Sequence, residues 1–346
     1  MSENKPLSNA VQKSYDILDL LKLILSLFVV CIHTRLLPAV FHPWVRTAVP
    51  LFFLMSAYFF FHKLKSLKEE DRSGYLKKYV KRNLLLYLFY FVLLLPVTII
   101  RQGYLHDSVL LILPHFLQDL VFGSTFYASW FIMASVEGTI LLYFLAKRLP
   151  NWALILIGAL LYAVGCAFSV YRPLLDNFHA VQSLMDSYQK IFLNPHNSVI
   201  VSIIWIAIGK TMAESEKTIS RPKLIAFVLT SGILLEAEYL LLRPEDNQDD
   251  CFIMLIPFCI SVFRLLLDCS SVTINHAAYL RKFSTMIYAM HGSVLFLLRY
   301  FLGALAPSLN QPVVLWLCTV LICTVYGFLI LRLEKIERLR FLRYAH

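Results

Sequence analysis

The residues best able to do chemistry lie near the start of the chain. Tyr15-Asp-Ile-Leu-Asp-Leu-Leu-Lys22 is followed by ten residues and then His33, within a run that is otherwise apolar. On a helix, eleven residues turn through about 1100°, roughly 20° past three full turns, and rise about 16 Å. Lys22 and His33 therefore share one face at two depths, and Asp19, three residues before Lys22, can pair with it. A cation near one mouth and a titratable imidazole deeper in suit group transfer. His33 could draw a proton from an attacking hydroxyl as a general base, or carry an acyl group itself as a nucleophile. The plainer alternative is a Lys22 that snorkels to the membrane surface and a His33 hydrogen-bonded at the opposite interface.

Other ionisable residues also interrupt apolar runs. His291 follows Tyr288 by three residues and Ser284 by seven, which is one helical face, and Arg299 continues it. A histidine in such a run also serves as a hydrogen-bonding partner between helices. Glu236 and Glu238 have no local cation, and Glu236 lies toward the outer end of its run, which makes it a binding candidate. The stretch 63–82 is strongly basic and includes Lys78, Lys81 and Arg82. Such a stretch fixes topology and touches anionic lipid, or meets the phosphates of a cosubstrate. The seven cysteines have neither zinc nor redox spacing, so no metal is expected.

These residues need a scaffold, and composition says which. Of 346 residues, 59% are hydrophobic and only 16% charged, with a mean hydropathy of +0.67. Soluble domains carry charged residues near roughly 25%. The pattern predicts an all-α, polytopic membrane helix bundle. Apolar runs near 16–36, 45–62, 80–101, 127–147, 151–169, 196–213, 222–242, 251–268, 284–304 and 311–331 are ten candidate spans. With the N-terminus cytoplasmic, 23 of the 32 lysines and arginines fall on that side and six on the other. This bias predicts ten spans with both termini cytoplasmic, in the cell membrane. The net charge of +10 is thereby explained by loops between spans, and a nucleic-acid partner is not expected. The organisation reads as a tail at 1–15, a membrane domain at 16–331 and a basic tail at 332–346. The patch Val109–Phe122, broken by Pro114, reads as a re-entrant or interfacial helix.

Taken in order, the motifs resemble the acyltransferase 3 family of multispanning membrane acyltransferases. Lys22-x10-His33 with the Asp19 lead-in resembles the hallmark of that family's first helix. The segment Arg46-Thr-Ala-Val-Pro-Leu-Phe-Phe-Leu-Met-Ser-Ala-Tyr-Phe-Phe-Phe61 is similar to its Val-Pro-Phe-Phe…Ser-Gly-Tyr motif, with Ala57 in place of the glycine. Trp130-Phe131, Asp250-Cys-Phe-Ile…Pro257 and Ser284…Ile287-Tyr288…His291 resemble three later motifs. Departures are Ala128, where a histidine often precedes the tryptophan, and Tyr79, at the first arginine of an Arg-x-x-Arg motif that keeps Arg82. Of an Arg-Asn-Gly segment only Asn197 remains.

The resemblance implies an O-acyltransferase. It would move an acyl group, commonly acetyl, from cytoplasmic acyl-CoA to a hydroxyl of a cell-envelope glycan or lipid-linked sugar at the outer face. It implies His33, Lys22 and Asp19 at the catalytic stripe, and Arg82, Lys78, Lys81 and Ser56 toward the donor. Glu236, Trp130, Tyr288, His291 and Asn197 would face the acceptor. With no soluble domain apparent in the sequence, a separate extracytoplasmic partner could finish the transfer. The competing expectation is an ion-coupled transporter or flippase of an envelope precursor, since intramembrane Lys, His and Glu suit that role too.

Overall fold

The computed structural model describes residues 15–106, 108–195, 198–215, 217–244, 249–269 and 272–346. It is all-helical, with no strand among the described residues. The principal elements are α1 (Asp16–Thr34), α2 (His42–Val45), α3 (Ala48–Lys65), α4 (Glu69–Leu93), α5 (Leu95–Gln102), α6 (Val109–Phe122), α7 (Trp130–Leu145) and α8 (Asn151–Ala167). They continue with α9 (Arg172–Leu175), α10 (His179–Phe192), α11 (Val199–Glu214), α12 (Arg221–Leu242), α13 (Leu255–Leu267), α14 (Ala277–Leu305) and α15 (Pro312–Leu333).

All ten expected apolar runs are helical, but they are unequal. Five described stretches are long and apolar enough to cross a membrane: α1, Ala39–Lys65, α12, α14 and α15. A sixth candidate, α4 with α5, is bent by 76°. The run expected at 80–101 is thus not one straight helix. It breaks at Leu94, where Pro96 opens the new helix and cannot continue the old ladder. Helices α7, α8, α11 and α13 are shorter, at 13–17 residues. The patch with Pro114 is indeed a separate helix, α6. The segment 170–195, polar in the sequence, holds a helix not foreseen, α10, which packs on α6.

At the centre runs α11, on which every residue from Val201 to Lys210 is buried. A helix apolar all round belongs in the middle of a bundle. Helices α3, α7 and α8 surround it. They approach closely because small residues face one another: a Cβ on Gly158 would lie 2.7 Å from the Ile204 Cα, and one on Gly209 would lie 2.8 Å from the Ala57 Cβ. This gives Ala57 a reason, since the glycine that brings α3 and α11 together sits on α11. A second layer is formed by α1 against α14 and α14 against α15, with α12 paired to α13. Outward faces of α12 and α15 remain apolar, as Leu229, Ile233, Leu321 and Phe328 illustrate, which fits lipid as the outer solvent.

Candidate functional site

Helix α1 runs past two cavities. One, of about 610 Å³, is lined by His33, Tyr127, Trp130 and Tyr288 together with Arg35, Arg46, Arg101 and Arg299. The other, of about 810 Å³, is lined by Asp19, Lys22, Ser56, Tyr79, Arg82, Arg281 and Tyr288. The spacing that put Lys22 and His33 on one face at two depths thus delivers each to its own cavity, and Tyr288 borders both. The cavity holding Lys22 is called inner and that holding His33 outer.

His33 is boxed by aromatic groups. Its Nδ1 lies 3.1 Å from the Tyr127 hydroxyl, and its ring stacks on that of His291 with centroids 5.2 Å apart. The Arg101 guanidinium lies 4.4 Å from the centre of the Tyr127 ring. Arg299 donates to the main-chain carbonyl of His33 at 2.8 Å. With Nδ1–H donating to the Tyr127 oxygen, Nε2 of His33 carries a free lone pair; with the hydroxyl donating, Nε2 carries the proton. Either tautomer leaves one ring nitrogen for proton transfer. Tyr127 is itself wedged in place, since a Cβ on Gly292 would come within 2.0 Å of its ring.

His291 and Glu236 are not where the sequence reading put them. His291 is fully buried behind His33 rather than on the outer cavity wall. Its Nδ1 pairs with the Tyr288 carbonyl at 2.6 Å, and its Nε2 has no hydrogen-bond partner among the described residues. Glu236 lines neither cavity: it accepts from the Trp44 indole at 2.8 Å and ties α12 to α2. Its neighbour Glu238 accepts from the amides of Ile253 and Met254 at 2.7 and 2.8 Å. That satisfies open donors at the start of α13. Trp130 and Tyr288 do line the outer cavity, and the Tyr288 hydroxyl donates to the Ala128 carbonyl at 3.0 Å. Asn197 lies outside the described residues.

On the inner side, buried Asp19 is shared. One oxygen takes Lys22 at 3.0 Å and the other takes Arg281 at 2.9 Å. The Ser284 hydroxyl donates to the Lys22 carbonyl at 2.8 Å, which fastens α14 to the same turn of α1. Ser56 meets the Tyr79 hydroxyl at 3.0 Å, so the tyrosine standing at the departed arginine position still faces the cavity. Arg82 lines it as expected, while Lys78 and Lys81 are exposed and do not. The reason is register: on α4 the inward positions at this depth are Tyr75, Tyr79 and Arg82, and the two lysines fall between them.

Sequence reasoning missed Tyr127, Arg46 and Arg101 as site residues. Tyr127 is next to Ala128, the position where the resembled family often has a histidine; the contact to His33 is made one residue earlier. Arg46 is held by an ion-pair cluster with Asp249 and Asp250 at the mouth, where His42 also meets Asp249 at 3.0 Å. Burial alone would raise the Asp249 carboxyl, but the His42 hydrogen bond and the Arg46 charge hold it well below the usual carboxylate range. No group of three or more His, Cys, Asp or Glu side chains suited to a metal occurs among the described residues.

A helical membrane bundle with a histidine and a cation on one helix, each in a cavity, is the class that the fold and site define. The sequence profile described as an acyltransferase domain matches residues 15–333, nearly the whole chain. The chain belongs to the acyltransferase 3 family. Among curated proteins it is similar to two amino-acid racemases of Enterococcus faecalis. The first is 23% identical over 267 residues, covering 74% of this chain and 36% of the relative. The second is 23% identical over 339 residues, covering 92% and 46%. A serine/alanine racemase of Enterococcus gallinarum is 24% identical over 230 residues, covering 64% and 32%. The chain thus spans about a third to a half of the length of these relatives. No solved structure matches it.

Proposed function

We propose that the protein is a membrane O-acyltransferase, carrying an acyl group, acetyl in the simplest case, from cytoplasmic acyl-CoA to a hydroxyl of a cell-envelope glycan or related acceptor. The observation that carries this is the placement of Lys22 and His33 on one helix face in two cavities that share Tyr288. The inner cavity presents Lys22, Arg82 and Arg281, which suit the phosphates of CoA. Its volume of about 810 Å³ is ample for the thioester-bearing arm. The orientation is part of the reading. Ten spans with both termini cytoplasmic put the basic stretch 63–82 beside the inner cavity, the tail at 1–15 and the basic tail at 332–346 on the donor side, and the outer cavity at the far face of the cell membrane.

In this mechanism His33 accepts the proton of the acceptor hydroxyl. The oxygen attacks the thioester carbonyl carbon, the carbon–sulfur bond breaks, and the thiolate takes the proton back from His33, giving ester and free CoA. Tyr127 orients the imidazole, and Asp19 holds Lys22 at the donor mouth. Trp130 and Tyr288 border the space for acceptor and acyl group. The acceptor is met at the outer face, either directly or through a separate extracytoplasmic partner.

The test is acyl transfer from radiolabelled acetyl-CoA in inverted membrane vesicles, comparing wild type with His33→Ala at matched protein level. General-base catalysis contributes about 10²–10⁴-fold, so the variant is expected to fall by that factor in CoA release and in labelling of the envelope fraction. Equal rates would remove His33 from the chemistry. The second reading is ion-coupled transport of an envelope precursor, since Lys22 and His33 place ionisable groups at two depths of one helix, each in a cavity. It predicts movement of a labelled precursor across the membrane without CoA release.

A further inference from the structure

The outer cavity is unusual in its charge. Among the described residues that line it stand four arginines, Arg35, Arg46, Arg101 and Arg299, against one carboxylate, Asp250. That carboxylate is engaged by Arg46, which Asp249 also holds. Two of the other guanidinium groups sit on neutral partners: Arg101 on the Tyr127 ring and Arg299 on the His33 carbonyl. Neither contact cancels a charge; the Asp119 carboxylate, which does not line the cavity, is the acidic group that acts on Arg101. Arg101 also keeps one terminal nitrogen, Nη1, buried and without a hydrogen-bond acceptor among the described residues. A buried donor left open costs free energy that a bound acceptor oxygen recovers.

We propose that the outer cavity binds an oxyanion, a carboxylate or phosphate carried by the acceptor, between Arg101 and Arg299 and beside His33. This rests on the acyltransferase reading and narrows its acceptor to an anionic one. Both arginines touch the histidine assembly, one through the Tyr127 ring and one through the His33 main chain. An anion docked between them brings a hydroxyl on the same molecule toward the imidazole. Guanidinium suits this role because its fork pairs with two oxygens at once, whereas the aromatic lining of Trp130 and Tyr288 takes the sugar or alkyl body. A neutral acceptor with no oxyanion to offer would leave the buried Arg101 Nη1 donor less well matched.

Two measurements on the full chain in lipid nanodiscs test this. The first is binding: thermal shift and titration with inorganic phosphate, glucuronate and glucose, each alone, for wild type, Arg101→Gln, Arg101→Lys and Arg148→Gln, the last an exposed residue lining neither cavity. Wild type and Arg148→Gln are expected to bind an anion and not glucose. Arg101→Gln is expected to weaken that affinity by about tenfold or more, with partial recovery in Arg101→Lys. Preference for phosphate or for glucuronate separates the two sources of the oxyanion. Equal response to glucose and both anions, or an unchanged affinity in Arg101→Gln, would overturn the proposal. The second is transfer from acetyl-CoA to glucose, glucuronate and glucose phosphate. The expected result is a lower KM for the charged sugars, lost in Arg101→Gln with recovery in Arg101→Lys. If no sugar is acetylated but anion binding depends on Arg101, the acyl-transfer reading fails while the anion site stands.

Discussion

The two cavities differ in how they hold their charged groups. In the inner one, a carboxylate pairs two of the cations: Asp19 sits between Lys22 and Arg281, while Arg82 is exposed above the Tyr79 ring. In the outer one, an imidazole is clamped among aromatic rings, and two of the surrounding arginines rest on a ring face and a carbonyl. Carboxylates pair directly with an arginine of the outer cavity at Arg46, through Asp249 and Asp250. An inner site with exposed cations, Arg82 and Arg281, around a buried carboxylate suits attraction of an anion and its release. An outer site built from packed rings fixes one orientation. Steering and positioning are thus separated along a single helix.

The largest expected effect concerns the outer mouth. Asp249→Asn removes a buried carboxylate from Arg46 and His42, and breaking a buried pair costs about 3 kcal/mol, the low end of the usual range because Asp250 still faces Arg46. Since the folded-state pKa of Asp249 is lowered, its stabilisation is complete above the ordinary carboxylate range near about 4 and fades as the pH falls below it. Thermal unfolding in detergent at pH 7 and pH 3 checks both statements: the gap between wild type and variant should narrow at the lower pH. A gap that does not depend on pH would show that Asp249 acts through packing instead.

Next comes the position of Tyr127. Gly292→Ala places a methyl group 2.0 Å from the ring and must push the tyrosine off His33. Misplacing a catalytic group by about 1 Å costs on the order of 10²-fold. The expected result is a fall of that size in kcat, with little change in the KM for acetyl-CoA, because the inner cavity is untouched. Gly74→Ala, where nothing lies within 4 Å, is the matched control and should leave both constants as they are. A rise in donor KM in Gly292→Ala would mean that the cavities are coupled more tightly than their linings suggest.

How much of this was legible beforehand follows the same division. Local periodicity carries the spacing of Lys22 and His33, the Asp19 pair and the helical character of all ten apolar runs, because each depends on residues within a few turns of one helix. The bend at Leu94 has a local cause, Pro96, at the start of α5. What could not be read were contacts between distant segments. Tyr127 reaches His33 across 94 positions, and Arg101 meets Tyr127 only because α5 turns away from α4. Glu236 looked like a ligand on hydropathy grounds, yet its partner Trp44 lies 192 residues away. Lys78 and Lys81 were credited by charge, and helical register alone separates them from Arg82. Span length was the least legible property, since α13 has 13 residues where its apolar run has more.

On the inner side the expected effects are smaller. Arg82→Gln removes an exposed cation from the inner cavity, and on the proposed reading a phosphate contact in water-facing surroundings is worth about tenfold in binding. The KM for acetyl-CoA should rise by that factor with kcat unchanged, and the difference between wild type and variant should shrink as salt screens the charge. Lys78→Gln, on the same helix but outside the cavity, should do much less. If the two variants behave alike, the basic stretch acts as a diffuse field and the inner cavity loses its claim to a specific donor site.

The smallest effect tests how firmly the outer assembly is built. Ala128 has φ of 62°, a left-handed conformation that costs an L residue with a Cβ about 1 kcal/mol. It is kept there while its carbonyl accepts the Tyr288 hydroxyl, on the residue that borders both cavities. Ala128→Gly relieves the strain but gives the unfolded chain more freedom, so the net change should lie between zero and about 1 kcal/mol of stabilisation, with activity retained. Ala128→Val should lose stability, since a β-branched side chain suffers most at positive φ. Thermal unfolding of the two variants in the same detergent decides the matter. A large loss in Ala128→Gly would mean that the methyl group packs the outer wall, and that the turn before α7 is held by side chains rather than by the hydrogen bond to Tyr288.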